Sequence, residues 1–135
     1  MELNELSEVL ENLKNEEELN LFFHLTSRDN GNSINENGLY MENKKLTSST
    51  IELDDSFFVD PDHYVDYELG NPQTREKEIM VFIECYQGEE NSLVKESDGQ
   101  YLIYPENIIG YLDLDSKYFN INNNCELEIG YGKNI

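Results

Sequence analysis

The residues of this chain best suited to chemistry lie in LFFHLTSRDNGNSINENGLY, residues 21–40, which holds His24, one of two histidines, with Thr26, Ser27 and Arg28 close behind. The apolar run that carries the histidine reads as a buried strand over residues 19–27. Side chains alternate faces along a strand, so Phe22, His24 and Thr26 share one side while Phe23, Leu25 and Ser27 share the other. Same-face neighbours stand about 7 Å apart. An imidazole and a hydroxyl at that separation can donate and accept hydrogen bonds to one small ligand, such as a ribose or a carboxamide. Buried in a core, each would need an internal partner, because an unpaired polar group costs about 1–3 kcal/mol. From the residues alone two placements stand: the polar anchor of a ligand cleft, and a satisfied core histidine beside a strand threonine.

Other chemistry-bearing residues are more dispersed. His63 sits in DPDHYVDYELG among acidic neighbours and reads as a solvated helix residue, or as a second group lining the same cleft with Tyr64 or Tyr67. Asp60, Asp62, Asp66 and Glu68 lack the glycine-centred loop of an EF-hand, and no metal site is expected. Cys85 and Cys125 occupy no metal-type spacing and read as free thiols in a reducing compartment. The sequence contains no glycine-rich phosphate loop and no Cys–His nucleophile arrangement. Arg28 and the pair Lys44-Lys45 are the cations that cluster near the candidate cleft. A helix amino terminus at residues 28–30 would add backbone N–H groups.

The elements that must position these groups follow from periodicity and punctuation. Leu3, Leu6, Leu10 and Leu13 recur at helical spacing, giving an amphipathic helix over residues 2–14 before the acidic run Glu16-Glu17-Glu18. Ser27 or Asp29 can cap a short helix over 29–37 with Ile34 inward, and Gly38 ends it. LYMENKKL and TSSTIEL read as short strands or strand-like connections, and SFFV (56–59) as another strand. Asp60 caps and Pro61 opens a helix that runs to Gly70, with Tyr64 and Tyr67, or Val65 and Leu69, as its inward pair. NPQTREKE is a polar loop, EIMVFIECY (78–86) the clearest strand, and QGEENSLVKESDGQ a loop. QYLIY (100–104) is a strand broken by Pro105, IIGYLDL (108–114) the next, and KYF and CELEI are short edge elements before a frayed tail. The order predicts an α+β single domain with mixed or antiparallel sheets and helices mostly in the N-terminal half. Residues 1–18 form its helix and acidic linker, 19–114 its core, and 115–135 its edge elements and tail.

Bulk composition bounds the function. A chain of 135 residues with 38% hydrophobic content, 9 Tyr and 6 Phe fits one domain with a real core. No apolar run approaches the roughly 20 residues of a membrane span, and the amino terminus lacks the order of a secretory signal, so a cytoplasmic protein is expected. With 9 basic residues against 29 acidic ones the net charge is −20. Such a surface repels nucleic-acid phosphate and anionic membranes, so neither is an expected partner. It suits plain solubility, a basic protein partner, or imitation of a nucleic acid's charge.

The segments in order carry a resemblance. A strand ending H-x-T-S, a polar turn and then N-x-S-I-x-x-x-G-L resembles the first motif of the ADP-ribosyltransferase-like superfamily. The likeness is nearest to its compact bacterial and phage members and to the RNA 2′-phosphotransferase branch. The matching residues are His24, Thr26, Ser27, Ser33, Ile34, Gly38 and Leu39. SFFVDPDHYVDYELG is similar to the second region, a short strand and a Pro-containing helix whose tyrosines flank nicotinamide. DGQYLIYPENIIGYL resembles the third, whose strand supplies a catalytic glutamate.

The resemblance touches most of residues 21–114. It implies NAD as cofactor, His24, Thr26, Ser27, Arg28, Tyr64 and Tyr67 as its binding residues, and transfer of ADP-ribose to a macromolecule. At the glutamate position this chain has Gln100. An amide keeps the hydrogen bond to a ribose hydroxyl but brings no negative charge, and one lost electrostatic contact of this kind typically costs a factor of about 10² to 10³. Three readings stay open: Glu106 or Glu96 serves in a shifted register, the reaction dispenses with the carboxylate, or the protein binds without catalysing. With His24, Gln100 and Glu106 as candidate catalytic residues, the alternative from a different class is a noncatalytic acidic inhibitor of phage or mobile-element origin that binds a basic host protein.

Overall fold

Two antiparallel sheets frame the structure, a computed structural model that describes residues 1–70 and 76–129. The larger contains β1 (Leu19–Thr26), β3 (Ile51–Glu52), β4 (Ile79–Tyr86), β7 (Ile108–Asp113) and β8 (Phe119–Ile121), in the spatial order β3-β1-β4-β7-β8. The smaller contains β2 (Leu39–Met41), β5 (Lys95–Ser97) and β6 (Gln100–Ile103), in the order β2-β6-β5. The helices are α1 (Leu3–Glu16), α2 (Gly31–Asn37), α3 (Ser56–Val59) and α4 (Pro61–His63), the last widening into a π-helical turn over Tyr64–Glu68. The architecture is mixed α+β, with all four helices in the first half of the chain.

The five-stranded sheet is covered on both faces, which is why β4 is buried from Ile79 to Cys85 instead of alternating. On one face α1, α3 and the π turn bring Leu3, Leu6, Leu10, Phe57, Tyr64 and Val65 against Leu21, Phe23, Met80 and Phe82. The aromatic rings there meet edge to face, Phe57 against Tyr64 at 5.6 Å and against Phe82 at 5.8 Å. On the other face the small sheet contributes Leu39, Met41 and Ile103 against Phe22, Val81, Ile83 and Cys85. Near the β4–β7 bulge at Phe82/Ile83, Gly110 holds φ at +151°, and a Cβ there would strike the Asn120 carbonyl oxygen and the Phe119 ring. Only glycine admits β8 so close to β7.

Several expected elements change type. SFFV is a helical turn, not a strand. The Asp54 carboxylate accepts from the Ser56 N–H at 2.8 Å, and Phe57 is fully buried while Val59 is 85% exposed. One-sided burial with a local cap suits a turn of helix better than a strand. The loop expected over 87–100 contains β5, joined to β6 through Asp98 and Gly99, both at positive φ (53° and 79°). CELEI is not an edge strand. The chain there is tied by the Asn122 side-chain amide, which donates to the carbonyls of Pro105 and Ile108 at 2.9 Å each. Asp60 does cap α4, accepting from the His63 N–H at 3.1 Å ahead of Pro61. Residues 71–75 of the polar loop and the tail from 130 lie outside the described residues. No helix among the described residues is long and apolar enough to cross a membrane.

Candidate functional site

The alternation along β1 holds. Leu21 and Phe23 enter the helix-covered core, Phe22 enters the other, and His24 and Thr26 line a cleft of about 270 Å³. Its walls come from the two elements that follow. Asn30, Ser33 and Ile34 project from the turn into α2 and from α2 itself, and Gly38, Leu39 and Tyr40 from its exit into β2. The sequence dictates this path at Gly38. Its N–H closes α2 on the Ile34 carbonyl at 2.9 Å, its φ is +94°, and a Cβ there would strike the Ile103 carbonyl oxygen of β6. At its other end α2 is pinned to the large sheet by the Tyr111 hydroxyl, which donates to Asn32 Oδ1 at 2.9 Å.

Both polar anchors are braced from outside the strand. His24 Nδ1 lies 2.7 Å from the Ser49 carbonyl oxygen. A carbonyl only accepts, so Nδ1 carries the proton and the neutral ring keeps an Nε2 lone pair for a ligand. Thr26 Oγ1 accepts from the Asn30 side-chain amide at 2.9 Å, which leaves its own O–H free to donate. Tyr40, 60% exposed, stands at the rim of the cleft. Among the described residues lining the cleft there is neither a carboxylate nor a cation. The arrangement is that of a hydrogen-bonding socket for an uncharged, partly planar group.

Other expected site residues lie elsewhere. Ser27 faces away from Thr26 along the strand and is not among the lining residues; its hydroxyl accepts from the same Asn30 amide at 3.2 Å. Arg28 is taken up by three carboxylates: Nε meets Asp113 at 2.6 Å, Nη1 meets Glu78 at 2.8 Å and Nη2 meets Asp115 at 3.1 Å. Burial alone would push Asp113 up, but Arg28 and the N–H groups of Ser116 and Asp115 outweigh it and hold the carboxyl below its usual range. Tyr64 is packed in the helix-covered core, across the sheet from His24, with its ring 6.2 Å from Phe23. Tyr67 is 72% exposed and stacks on His63 at 4.9 Å. The π turn aims Tyr64 and Val65 inward together, so the inward pair mixes the two expected ones. His63 is a surface residue 3.8 Å from Glu68.

Gln100 opens β6 on the face that Leu102 and its partner Tyr40 share, two residues along from the cleft, and does not line it. Glu96 is on β5, 3.9 Å from the Lys44 ammonium. Glu106 lines a separate cavity of about 190 Å³ with Glu89, Glu126, Lys95 and Asn107. Beside that cavity is the group sequence reasoning missed, Glu84, an acid in mid-strand and 2% exposed. Its Oε1 accepts from the Asn107 amide at 3.1 Å and its Oε2 has no partner. Burial pushes its carboxyl up to about 7, against the Asn107 hydrogen bond and helped by the charges of Glu126, Glu89 and Glu106. The same effect pushes the Cys85 thiol up to about 12 and Cys125 to about 11, which keeps both protonated and poor nucleophiles. Among the described residues no group of three or more His, Cys, Asp and Glu side chains is arranged to hold a metal ion.

No protein-family model, no curated protein and no solved structure matches the chain.

Proposed function

We propose that the chain is an ADP-ribosyltransferase-like domain whose cleft binds NAD or a related nucleotide through its nucleoside part. The observation that carries this reading is the braced pair, His24 with Nε2 free and Thr26 with its hydroxyl proton free, opening side by side into one cleft. A ribose, with vicinal hydroxyls that donate and accept, complements that set. Tyr40 supplies a stacking face in place of Tyr64 and Tyr67. The uncharged lining favours binding over glycosidic cleavage, because no carboxylate borders the place where positive charge would develop on the sugar.

Thermal melting of the whole chain tests it. NAD at about 100 times its Kd adds about 2.7 kcal/mol and must raise the midpoint. His24→Ala should abolish that rise, and labelled NAD should bind without transferring label to the protein or to added macromolecules. A wild-type midpoint indifferent to NAD and to its nucleoside fragments would remove the reading. Transfer of label would remove its noncatalytic half.

A second reading, an acidic surface that docks on a basic protein, is favoured by the charge. Much of the positive charge is already neutralised internally, with Lys14 on Asp55 and Lys117 between Asp62 and Asp66. Capture of a basic protein that weakens steeply with salt is its signature.

A further inference from the structure

Resting on the nucleotide reading of the cleft, we propose that Lys44 and Lys45, on the connection after β2, form an anion subsite that takes the ligand's phosphate end. These lysines line a second cavity, of about 330 Å³, together with Phe22, Leu46, Thr47 and Glu90. Phe22 lies on the same face of β1 as His24, two residues away, so the two cavities meet the strand about 7 Å apart. The segment 46–50 runs between them. Leu46 is buried there, Thr50 Oγ1 donates to the Leu46 carbonyl at 2.8 Å, and the Ser49 carbonyl holds His24. A nucleotide with its sugar on His24 therefore has its phosphates within reach of the lysine cavity, across a ridge already tied to the histidine.

Charge and position together carry the assignment. The surface as a whole repels an anion, so a phosphate needs cations that the protein has not already spent. Arg28, Lys14 and Lys117 are engaged by carboxylates at 2.6 to 3.1 Å. Lys44 has only a long, exposed pairing with Glu96 at 3.9 Å; Lys45, Lys77 and Lys95 have no ion pair among the described residues, and Lys95 shares its cavity with Glu89, Glu106 and Glu126. One carboxylate, Glu90, also lines the cavity; its Oε1 accepts from the Asn20 amide and from the Gly88 N–H at 3.3 Å, which fixes it in place and keeps it charged. Two exposed ammonium groups against the single carboxylate that lines this cavity, with Thr47 beside them, suit a phosphate that keeps part of its hydration.

The test compares NAD with its phosphate-free fragments, adenosine and nicotinamide riboside, by titration calorimetry at low and high salt. In the variant Lys44→Gln/Lys45→Gln, NAD should bind about tenfold more weakly, the scale of one charge-assisted contact at an exposed site. Its salt dependence should flatten, while the fragment that wild type binds should keep its affinity. Both lysines are exposed, so the variant should melt as wild type does. NAD affinity and salt slope unchanged in the variant would overturn the subsite and leave the cleft standing. So would wild type binding NAD no more tightly than the better fragment. Wild type binding none of the three compounds would overturn cleft and subsite together.

Discussion

At the end of the β1–β4 ladder where Thr26 pairs with Ile79, two polar side chains line a cleft, each braced by one hydrogen bond from outside the strand. At the far end, where Leu21 pairs with Glu84, one carboxyl is sealed among packed atoms with half of it unpaired. Both are polar interruptions of apolar strands in the same sheet. They differ in who supplies the partners. His24 and Thr26 are held by Ser49 and Asn30, so on the proposed reading a ligand would meet side chains already oriented. Glu84 has only the Asn107 amide, and the charges of Glu126, Glu89 and Glu106 weigh against its ionisation. The first end leaves polar groups lining a cleft, and the second holds a buried carboxyl whose charge is disfavoured.

The largest effect that would break the contrast belongs to Glu84. Its folded pKa of about 7 lies above its ordinary 4.5, so its contribution is fully present below about pH 4.5 and is lost as pH rises through 7. The shift corresponds to about 3 kcal/mol. Glu84→Gln keeps the shape and removes the ionisation. Urea denaturation should show the variant more stable than wild type above pH 7, by up to that amount, with the gap closing towards pH 4.5. A gap that does not change with pH would mean that water reaches the carboxyl and that the two ends are alike.

How much of this was legible in the sequence depends on whether the deciding partner was local. The two-residue alternation put His24 and Thr26 on one face, and the 78–86 run announced a strand; that it is buried on both sides shows only in the fold. The brace on His24 is a backbone carbonyl, Ser49, and a carbonyl leaves no mark in side-chain identity. Tyr40, Tyr64 and Tyr67 look alike as letters; which of them reaches the cleft is decided by the sheet face each element covers, a tertiary choice. Asp98-Gly99 was a readable hairpin signal, yet it was flanked by the exposed polar strand Lys95–Ser97, whose side chains show no burial pattern. SFFV misled because four apolar letters carry no period. Only Asp54, capping from two residues ahead, marks it as helix.

The contrast sharpens at Gly38, where the cleft's shape depends on backbone freedom. Gly38→Ala forces a side chain into a positive-φ position against β6, at a cost of about 1–3 kcal/mol. Because Leu39 and Tyr40 follow directly, NAD affinity should fall along with the denaturation midpoint. A variant with wild-type stability and affinity would show that β2 shifts freely and that the cleft wall is not fixed by this turn.

The smallest effect concerns Arg28, which the sequence offered as a phosphate ligand and the structure ties to Glu78, Asp113 and Asp115. Its side chain is 45% exposed, so solvent screens these pairs, and Arg28→Gln should shift the denaturation midpoint at neutral pH only slightly. The sign with pH is opposite to that of Glu84. Asp113 is held below its ordinary range, so its contribution is present above that range and is lost as pH falls through the depressed value. Wild type and variant should therefore converge in acid, where the carboxylates are protonated. NAD affinity should stay within about twofold, since screened surface pairs seldom exceed a few tenths of a kcal/mol in coupling to a distant site. A tenfold loss of affinity at neutral pH would mean that the ion cluster opens on binding and releases the guanidinium to the ligand. The phosphate end would then lie on the α2 side of His24, away from the lysine cavity.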